Sequence, residues 1–186
     1  MQQDSFYTRI ELEEIGFKSL GTDLYISRFA RFYAPQLMEI GNHVRIDDFC
    51  ILSGSIKLGS YIHISAYCAL YGKFGIEMED FAGLSPRCTV FSASDDFSGE
   101  FMVGPMVDAR YTHVTGGKVH LKKYVQLGAG CIILPNVILE EGVSVGAMSL
   151  INKPLKSWTI YKGIPAIAYK ERKVELIEKS HIFYKQ

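Results

Sequence analysis

Residues 40–70 of the chain read IGNHVRIDDFCILSGSIKLGSYIHISAYCAL, and an aliphatic residue recurs in this stretch at every sixth position. The recurring residues are Ile40, Ile46, Leu52, Leu58, Ile64 and Leu70. Four positions after each comes a second, mostly smaller apolar residue, in the order Val44, Cys50, Ile56, Ile62, Cys68 and Phe74. An α-helix repeats about every 3.6 residues and a strand about every two, so neither explains this period. It indicates a repeat architecture in which both apolar positions point into a shared core.

The same pattern extends along most of the chain. It resumes at Met78 after a shift of two residues, breaks after Ser94, and returns from Leu121 onward. Each hexapeptide supplies a short strand and a corner, three hexapeptides close a triangular coil, and successive coils pair as parallel strands. We therefore predict an all-β fold, a parallel β-helix over residues 26–151 with an extruded loop at residues 95–118.

All four cysteines occupy the second apolar position of a hexapeptide, at Cys50, Cys68, Cys88 and Cys131. A compact apolar side chain fits there, and a free cysteine behaves as a small hydrophobic residue. The spacing is typical of neither a CxxC metal pair nor the disulfide framework of a small secreted protein. We predict four core thiols that act neither as ligands nor as nucleophiles.

The two ends of the chain predict short helices on either side of the repeat. Residues 1–25 are expected to form an N-terminal helical cap, because Thr8-Arg9-Ile10-Glu11 is typical of a capping box and Gly16 of a helix end. Residues 152–186 are expected to form a tail, with an amphipathic helix predicted over residues 170–179. All 186 residues are therefore expected to form a single domain.

The composition argues against several partners. Twenty basic and 20 acidic residues give a net charge of +0, so no global field attracts nucleic acid or anionic lipid. No apolar stretch has the length of a membrane span, and the first residues lack the basic and apolar regions of a signal peptide. We expect a cytoplasmic protein that neither binds nucleic acid nor inserts into a membrane.

Three segments resemble the hexapeptide-repeat acyltransferases: Ile40-Gly41-Asn42-His43-Val44-Arg45-Ile46, Leu127-Gly128-Ala129-Gly130-Cys131 and Val145-Gly146-Ala147-Met148-Ser149. A fourth segment, Tyr161-Lys162-Gly163-Ile164-Pro165-Ala166, is similar to the terminal Gly-x-Pro-Ala signature of the maltose and galactoside O-acetyltransferases and their relatives in surface-polysaccharide clusters. The resemblance implies a left-handed β-helix and a homotrimer with active sites between subunits. It also implies acetyl-coenzyme A as acyl donor, with no metal.

The resemblance also implies where acetyl-coenzyme A lies, in a groove beside the later coils. The positions that match the family's contacts are Ala129, Ala147, Lys153, Gly163, Pro165, Lys170 and Arg172. Small residues let the pantetheine arm approach the backbone, and basic residues can bind the phosphates. The alternative is that the small residues belong to the repeat and that the basic residues form a solvated surface.

Acyl transfer needs a base for the attacking hydroxyl or amine and donors for the oxyanion. In the O-acetyltransferases the base is a histidine at the mouth of the loop, whereas here Asp95 occupies that position. His63 lies on another corner, so we predict that Asp95 orients it as the base across a subunit interface. Ser65, Asp96 and His113 are predicted to contact the substrate. Alternatively, His63 is a surface residue and Asp95 caps a turn.

The predicted function is acetyl transfer from acetyl-coenzyme A to a sugar hydroxyl in polysaccharide or glycan synthesis. The alternative is transfer to the amine of a nucleotide-linked amino sugar, where the absence of the usual histidine costs less because an unprotonated amine is already nucleophilic. A zinc-dependent carbonic anhydrase built on His113 and His120 is a further hypothesis. The non-enzymatic hypothesis is that the β-helix is a bare structural scaffold that catalyses no reaction.

Overall fold

The computed structural model describes residues 5–184, which form a parallel β-helix with a short helix near each end. The strands run in the order β1 (Ser19–Leu20), β2 (Tyr25–Ile26), β3 (Arg31–Tyr33), β4 (Met38–Ile40), β5 (Val44–Ile46), β6 (Ile51–Leu58), β7 (Ile62–Ile64), β8 (Ala69–Met78), β9 (Gly83–Leu84), β10 (Thr89–Phe91), β11 (Ala93–Asp95), β12 (Val114–Gly116), β13 (Val119–Leu121), β14 (Gln126–Leu127), β15 (Ile132–Ile133), β16 (Ile138–Leu139), β17 (Ser144–Val145), β18 (Leu150–Ile151), β19 (Thr159–Lys162) and β20 (Ile167–Glu171). The helices are α1 (Arg9–Ile15) and α2 (Glu175–Phe183), and single 3₁₀ turns span Pro35–Leu37 and Ala109–Tyr111.

The coils stack into three flat faces. Face 1 is the parallel series β2, β5, β7, β9, β14, β17 and β19. Face 2 contains β3, the first halves of β6 and β8, and then β10, β15 and β18. Face 3 contains β1, β4, the second halves of β6 and β8, and then β13 and β16. Ile46 pairs with Ile64, so an undisturbed coil takes three hexapeptides as predicted.

The core consists of the two apolar positions of each hexapeptide, and all the interior residues named for residues 40–74 are buried except Phe74. Phe74 is 45% exposed, and Ile76, at 2%, occupies the interior position instead. The reason is the extra pair of residues in β8, where Gly75 adopts a φ of +97° and widens the corner. The shift seen in the sequence therefore begins before Phe74.

The four cysteines are fully buried and unpaired, as predicted for core thiols. Each Sγ donates to a backbone carbonyl one coil further on, at Ser65, Ser85, Gly128 and Gly146 respectively, over 3.1–3.2 Å. The thiols therefore form one column along an inner corner of the helix.

Helix α1 confirms the predicted capping box. The Thr8 side chain accepts from the backbone N–H of Glu11, the Glu11 carboxylate accepts from the Thr8 backbone N–H at 2.8 Å, and Gly16 ends the helix at a φ of +83°. The helix predicted at residues 170–179 is displaced, because β20 pairs antiparallel with β19 and α2 begins only at Glu175. Neither α1 nor α2 has the length and apolar character needed to cross a membrane, and no other α-helix occurs in residues 5–184.

Helix α2 packs on a ladder of aromatic rings at the corner between faces 3 and 1. Tyr61 stacks on Phe81 at 4.9 Å between centroids, and Phe81 stacks on Tyr124 at 5.3 Å. Phe183 of α2 meets Tyr61 edge-to-face at 5.2 Å, and the hydroxyl of Ser180 lies 2.7 Å from that of Tyr124. We call this corner the aromatic edge.

The extruded loop leaves and returns as a small hairpin at the corner between faces 2 and 3. Ala93 pairs with Gly116 and Asp95 pairs with Val114 in an antiparallel ladder. The predicted loop of residues 95–118 therefore begins and ends in strands, and its irregular part is residues 96–113.

Candidate active site

Asp95 lies at the base of the extruded loop, on the corner that we call the loop edge. It is half-buried and lines a cleft of 540 Å³, with Tyr71 and Lys73 of β8 on one side and Pro105 and Val107 of the loop on the other. Within residues 5–184 no donor reaches the Asp95 carboxylate, whereas its backbone is held in the β11–β12 ladder. The carboxylate is thus positioned by the hairpin and available to a ligand.

Two further predicted residues adjoin Asp95 in a neighbouring cleft of 400 Å³, which Asp96 and His113 line. The Asp96 carboxylate accepts from the backbone N–H of Ser98 at 2.7 Å, and hydrogen bonds from that N–H and from the Ser98 hydroxyl lower the pKa of Asp96. The His113 ring stacks on Phe101 with centroids 4.9 Å apart. The structure therefore brings Asp95, Asp96 and His113 together.

His63 lies elsewhere, on face 1 next to the corner between faces 1 and 2. Its Nε2 is 2.7 Å from the Asp47 carboxylate, which also accepts from Arg45 Nε at 2.7 Å. Burial raises the pKa of Asp47, but the hydrogen bonds from Arg45 and His63 outweigh it and leave this pKa below its ordinary value. Within one chain the carboxylate that orients His63 is therefore Asp47, a residue that was not among those predicted for the site.

The corner next to His63 carries a line of small residues, which we call the small-residue edge. Ser65 and Ser85 follow equivalent strands of face 1, and their backbone N–H groups donate to Leu84 and Leu127 of the next coil. In later coils Gly128 and Gly146 occupy the position of these serines. One residue further along the same corner lie Ala129, Ala147 and Gly163, all of which are exposed, followed by the exposed Pro165. Four of the seven residues predicted to bind the cofactor therefore lie along one open edge.

The three basic residues predicted to bind the cofactor lie away from this edge. Lys153 follows β18 on the loop-edge side, and Lys170 is exposed in β20. The Arg172 guanidinium is half-buried at the aromatic edge, where Nη1 donates to the backbone carbonyls of Tyr124 at 2.7 Å and Gly142 at 3.0 Å. Burial lowers the pKa of Arg172. Arg172 is therefore already engaged in holding the tail against the coils.

The two histidines of the carbonic anhydrase hypothesis have separate partners. His120 Nε2 is 2.8 Å from the Glu79 carboxylate on face 3, whereas His113 stacks in the loop. In the described part of the chain, no three His, Cys, Asp or Glu side chains are grouped so that they could hold a metal ion. The site geometry gives this hypothesis no support.

Comparison with known proteins places this architecture in a wider context. No family model matches the chain. The dTDP-4-amino-4,6-dideoxy-D-glucose acyltransferase of Escherichia coli is 40% identical over 182 residues, which are 96% of this chain and 95% of that protein. A serine variant of AntD, an N-acyltransferase from Bacillus cereus solved with dTDP-4-amino-4,6-dideoxyglucose and coenzyme A, is 50% identical with a TM-score of 0.95, covering 99% of both chains.

A second AntD structure, solved with dTDP and 3-hydroxybutyryl-CoA, is 51% identical and has a TM-score of 0.95 over 98% of both chains. A hexapeptide-repeat acetyltransferase from Vibrio cholerae shares the fold, with a TM-score of 0.59 at 16% identity over 93% of this chain and 84% of that one. These comparisons confirm the predicted left-handed β-helix of hexapeptide repeats.

Proposed function

The chain belongs to the hexapeptide-repeat acyltransferases, and we propose that it transfers an acyl group from an acyl-coenzyme A to the amino group of a dTDP-linked amino sugar. The observation that carries this proposal is the similarity to AntD along nearly the whole chain. The name of the E. coli relative specifies the same acceptor. Of the two acceptors inferred from the sequence, the amine is better supported than the hydroxyl of the maltose and galactoside branch.

The AntD structures also point to individual residues. AntD was solved as variants of one serine and one aspartate that lie ten residues apart. Ser85 and Asp95 are also ten residues apart, and each lies one position later in its chain than the AntD residue. We infer that they are the equivalent residues and that both contact the acceptor. This adds Ser85 to the predicted site and keeps Asp95 in it.

Ser85 and Asp95 lie on different edges of one chain, with face 2 between them. We propose a homotrimer with parallel axes, in which the small-residue edge of one subunit lies against the loop edge of the next. Asp95 would then face Ser85 and the His63–Asp47 pair of its neighbour. Because the proposed substrates are an acyl-CoA and a nucleotide sugar, which are metabolites of the cytoplasm, we expect the enzyme to act there in glycan synthesis.

The proposed reaction is attack of the unprotonated amine on the thioester carbonyl, followed by cleavage of the C–S bond. The amine loses one proton as the amide forms, and the departing coenzyme A thiolate finally gains one. We assign the proton acceptor to Asp95, because its carboxylate has no donor among residues 5–184 and is therefore available to accept a hydrogen bond from a bound amine. His63, oriented by Asp47 at 2.7 Å, is the second candidate for this role.

For the donor, we propose that the pantetheine arm runs along Ala129, Ala147, Gly163 and Pro165. Ala129, Ala147 and Gly163 have small side chains and leave this edge open, so the pantetheine arm can approach the protein backbone closely. Lys153 lies on the loop edge, so it would reach this coenzyme from a neighbouring subunit. Lys170 remains a candidate phosphate ligand. AntD was solved with 3-hydroxybutyryl-CoA, so we propose short acyl groups that include but are not limited to acetyl.

The test is turnover with acetyl-CoA and 3-hydroxybutyryl-CoA against dTDP-4-amino-4,6-dideoxyglucose and dTDP-glucose, following thiol release and product mass. We expect acylation of the amino sugar alone. Comparable acylation of dTDP-glucose would contradict the assignment of an amine acceptor.

Substitution separates the two candidate bases. Asp95→Asn is expected to lower turnover by roughly 10²–10⁴, the usual contribution of a general base. Asp108→Asn is the matched control, because Asp108 is also a loop carboxylate but is paired with Arg110 at 3.0 Å. If His63→Asn abolishes turnover while Asp95→Asn does not, the base is His63 and not Asp95.

A further inference from the structure

A groove runs along the loop edge from Asp95 towards the first coils. Asp95 lines one end, a cleft of 540 Å³, and Tyr33 and Ser53 line the other, a cleft of 520 Å³. Tyr71 and Lys73 line both clefts, so the two are continuous. None of Tyr33, Ser53, Tyr71 and Lys73 has a role in the chemistry described above.

The far end of the groove has the form of a slot between two aromatic residues. Tyr33, Ser53, Tyr71 and Phe91 are register partners in four successive coils. One face of Tyr71 stacks on Phe91 at 5.3 Å with an interplanar angle of 13°, which leaves its other face towards Ser53. At about 4.8 Å per coil, Tyr33 and Tyr71 are separated by roughly 9.6 Å. This spacing accommodates one flat ring at about 4.5–5 Å from each aromatic ring.

The small side chain of Ser53 keeps this slot open. Any larger side chain at that position would occupy the space between the two tyrosines. Tyr33 is 59% exposed and Tyr71 is 38% exposed, so both present ring surface that no other part of the described chain covers. The slot is therefore suited to a planar heterocycle.

Lys73 lies between the slot and Asp95 and has no counter-ion. Within residues 5–184 no carboxylate pairs with it, although other lysines nearby are paired. Lys57 contacts Glu77 at 3.2 Å, and Lys118 contacts the same carboxylate. An unpaired ammonium group in a groove is available to bind phosphate oxygens.

We infer that this groove binds the nucleotide part of the acceptor, with the base between Tyr33 and Tyr71, the diphosphate at Lys73 and the amino sugar at Asp95. The order of the three sites along the groove is the order of base, diphosphate and sugar in a nucleotide sugar. The inference rests on the proposed function, because that proposal supplies a nucleotide-linked acceptor. On this inference the nucleotide, and not the reacting amine, is recognised by Tyr33, Ser53, Tyr71 and Lys73.

Calorimetric titration with dTDP, thymidine and pyrophosphate tests the two subsites separately. Ser53→Phe fills the slot and is expected to weaken dTDP and thymidine about tenfold or more while sparing pyrophosphate. Lys73→Met is expected to weaken dTDP and pyrophosphate about tenfold while sparing thymidine. Lys57→Met is the matched control, because this lysine is already paired, and its affinities should remain within about twofold of the wild type.

The inference is overturned if Ser53→Phe and Lys73→Met bind dTDP within about twofold of the wild type. Should Ser53→Phe fail to fold, Tyr33→Ala removes one wall of the same slot from an exposed position. Failure of the proposed function would look different: the wild type would bind dTDP, Ser53→Phe and Lys73→Met would weaken that binding, and yet the wild type would acylate no amino sugar. Conversely, normal KM values for the amino sugar in both variants would refute the assignment of the nucleotide to this groove and leave the proposed function intact.

Discussion

Two inactive variants, Asp95→Asn and Ser85→Val, are expected to restore activity when they assemble together. Asp95 lies on the loop edge and Ser85 on the small-residue edge, so in the proposed trimer each site between subunits takes one of these residues from each of two chains. If both chains are made in equal amounts, the chain that contributes Ser85 to a site carries the unsubstituted residue with a probability of about one half. The same holds for the chain that contributes Asp95. About one quarter of the sites in a cyclic trimer are then intact.

The assay is turnover of material that carries two different affinity tags and is purified on both, so that only mixed assemblies remain. Double selection removes the pure trimers, which makes one quarter of wild-type activity a lower bound. The control is a mixed assembly of two differently tagged Asp95→Asn chains, which should stay as inactive as the single variant. A doubly purified Asp95→Asn and Ser85→Val assembly without activity would refute the shared site, and failure to co-purify would refute the oligomer itself.

Three further outcomes test the roles of other residues. Arg172→Met removes the two shortest hydrogen bonds from Arg172 to corner carbonyls, so it should lower the free energy of unfolding by about 2–3 kcal/mol and the midpoint of thermal unfolding by about 5–10 °C. Lys170→Met, a change at an exposed position, is the control and should alter the midpoint little. An unchanged midpoint together with a raised KM for acyl-CoA would instead make Arg172 a cofactor ligand. Hydrogen bonds from Arg28 and Thr8 lower the pKa of Glu11 to about 2. In urea unfolding, the wild type should therefore be more stable than Glu11→Gln above about pH 4.5, and this difference should disappear as the pH falls towards 2. A difference in stability that persists at pH 2 would contradict this. In a thiol titration with a colorimetric disulfide reagent, none of the four cysteines should react in the native protein and all four in denaturant, and rapid reaction of any one would contradict the buried column.

The repeat was predictable because burial dictates it locally. In each hexapeptide two side chains must face a shared interior, and a slip of one residue would expose both, so the apolar period records the fold directly. The cap on α1 was predictable for the same reason, since Thr8 and Glu11 satisfy each other's backbone donors within four residues. These features need no partner from distant parts of the chain.

The features that were displaced or missed depend on distant partners. Lys170 and Glu171 belong to the segment predicted as a helix, but pairing with β19 makes them the end of strand β20. His63 meets Asp47 across 16 residues, a contact that follows only when one coil is laid on the next so that Arg45 and His63 are register partners. The sequence contained that signal, and applying the coil length of 18 residues to His63 would have pointed to Asp47 and Arg45 before Asp95.

The corners show a third kind of limit. His43, Tyr61 and Phe81 adopt φ values of +54° to +62°, a region that residues with a side chain usually avoid. Sequence rules place Gly or Asn there, and they miss an aromatic residue because its support comes from stacking on the equivalent ring of the next coil. The strain is thus tolerated only in the assembled ladder, where each ring covers its neighbour.

Asp95 itself links the chemistry of the acceptor to the sequence. A carboxylate is a weak base for a sugar hydroxyl, which holds its proton until late in the attack. An amine already carries a free lone pair when unprotonated, so a carboxylate need only hold the nitrogen in place and take a proton that the developing positive charge makes acidic. Replacing histidine by aspartate at the mouth of the loop is therefore tolerable for N-acylation and costly for O-acylation. On this reasoning, a change of Asp95 to His should not convert the enzyme into an O-acyltransferase unless the groove also admits a hydroxyl at the position of the amine.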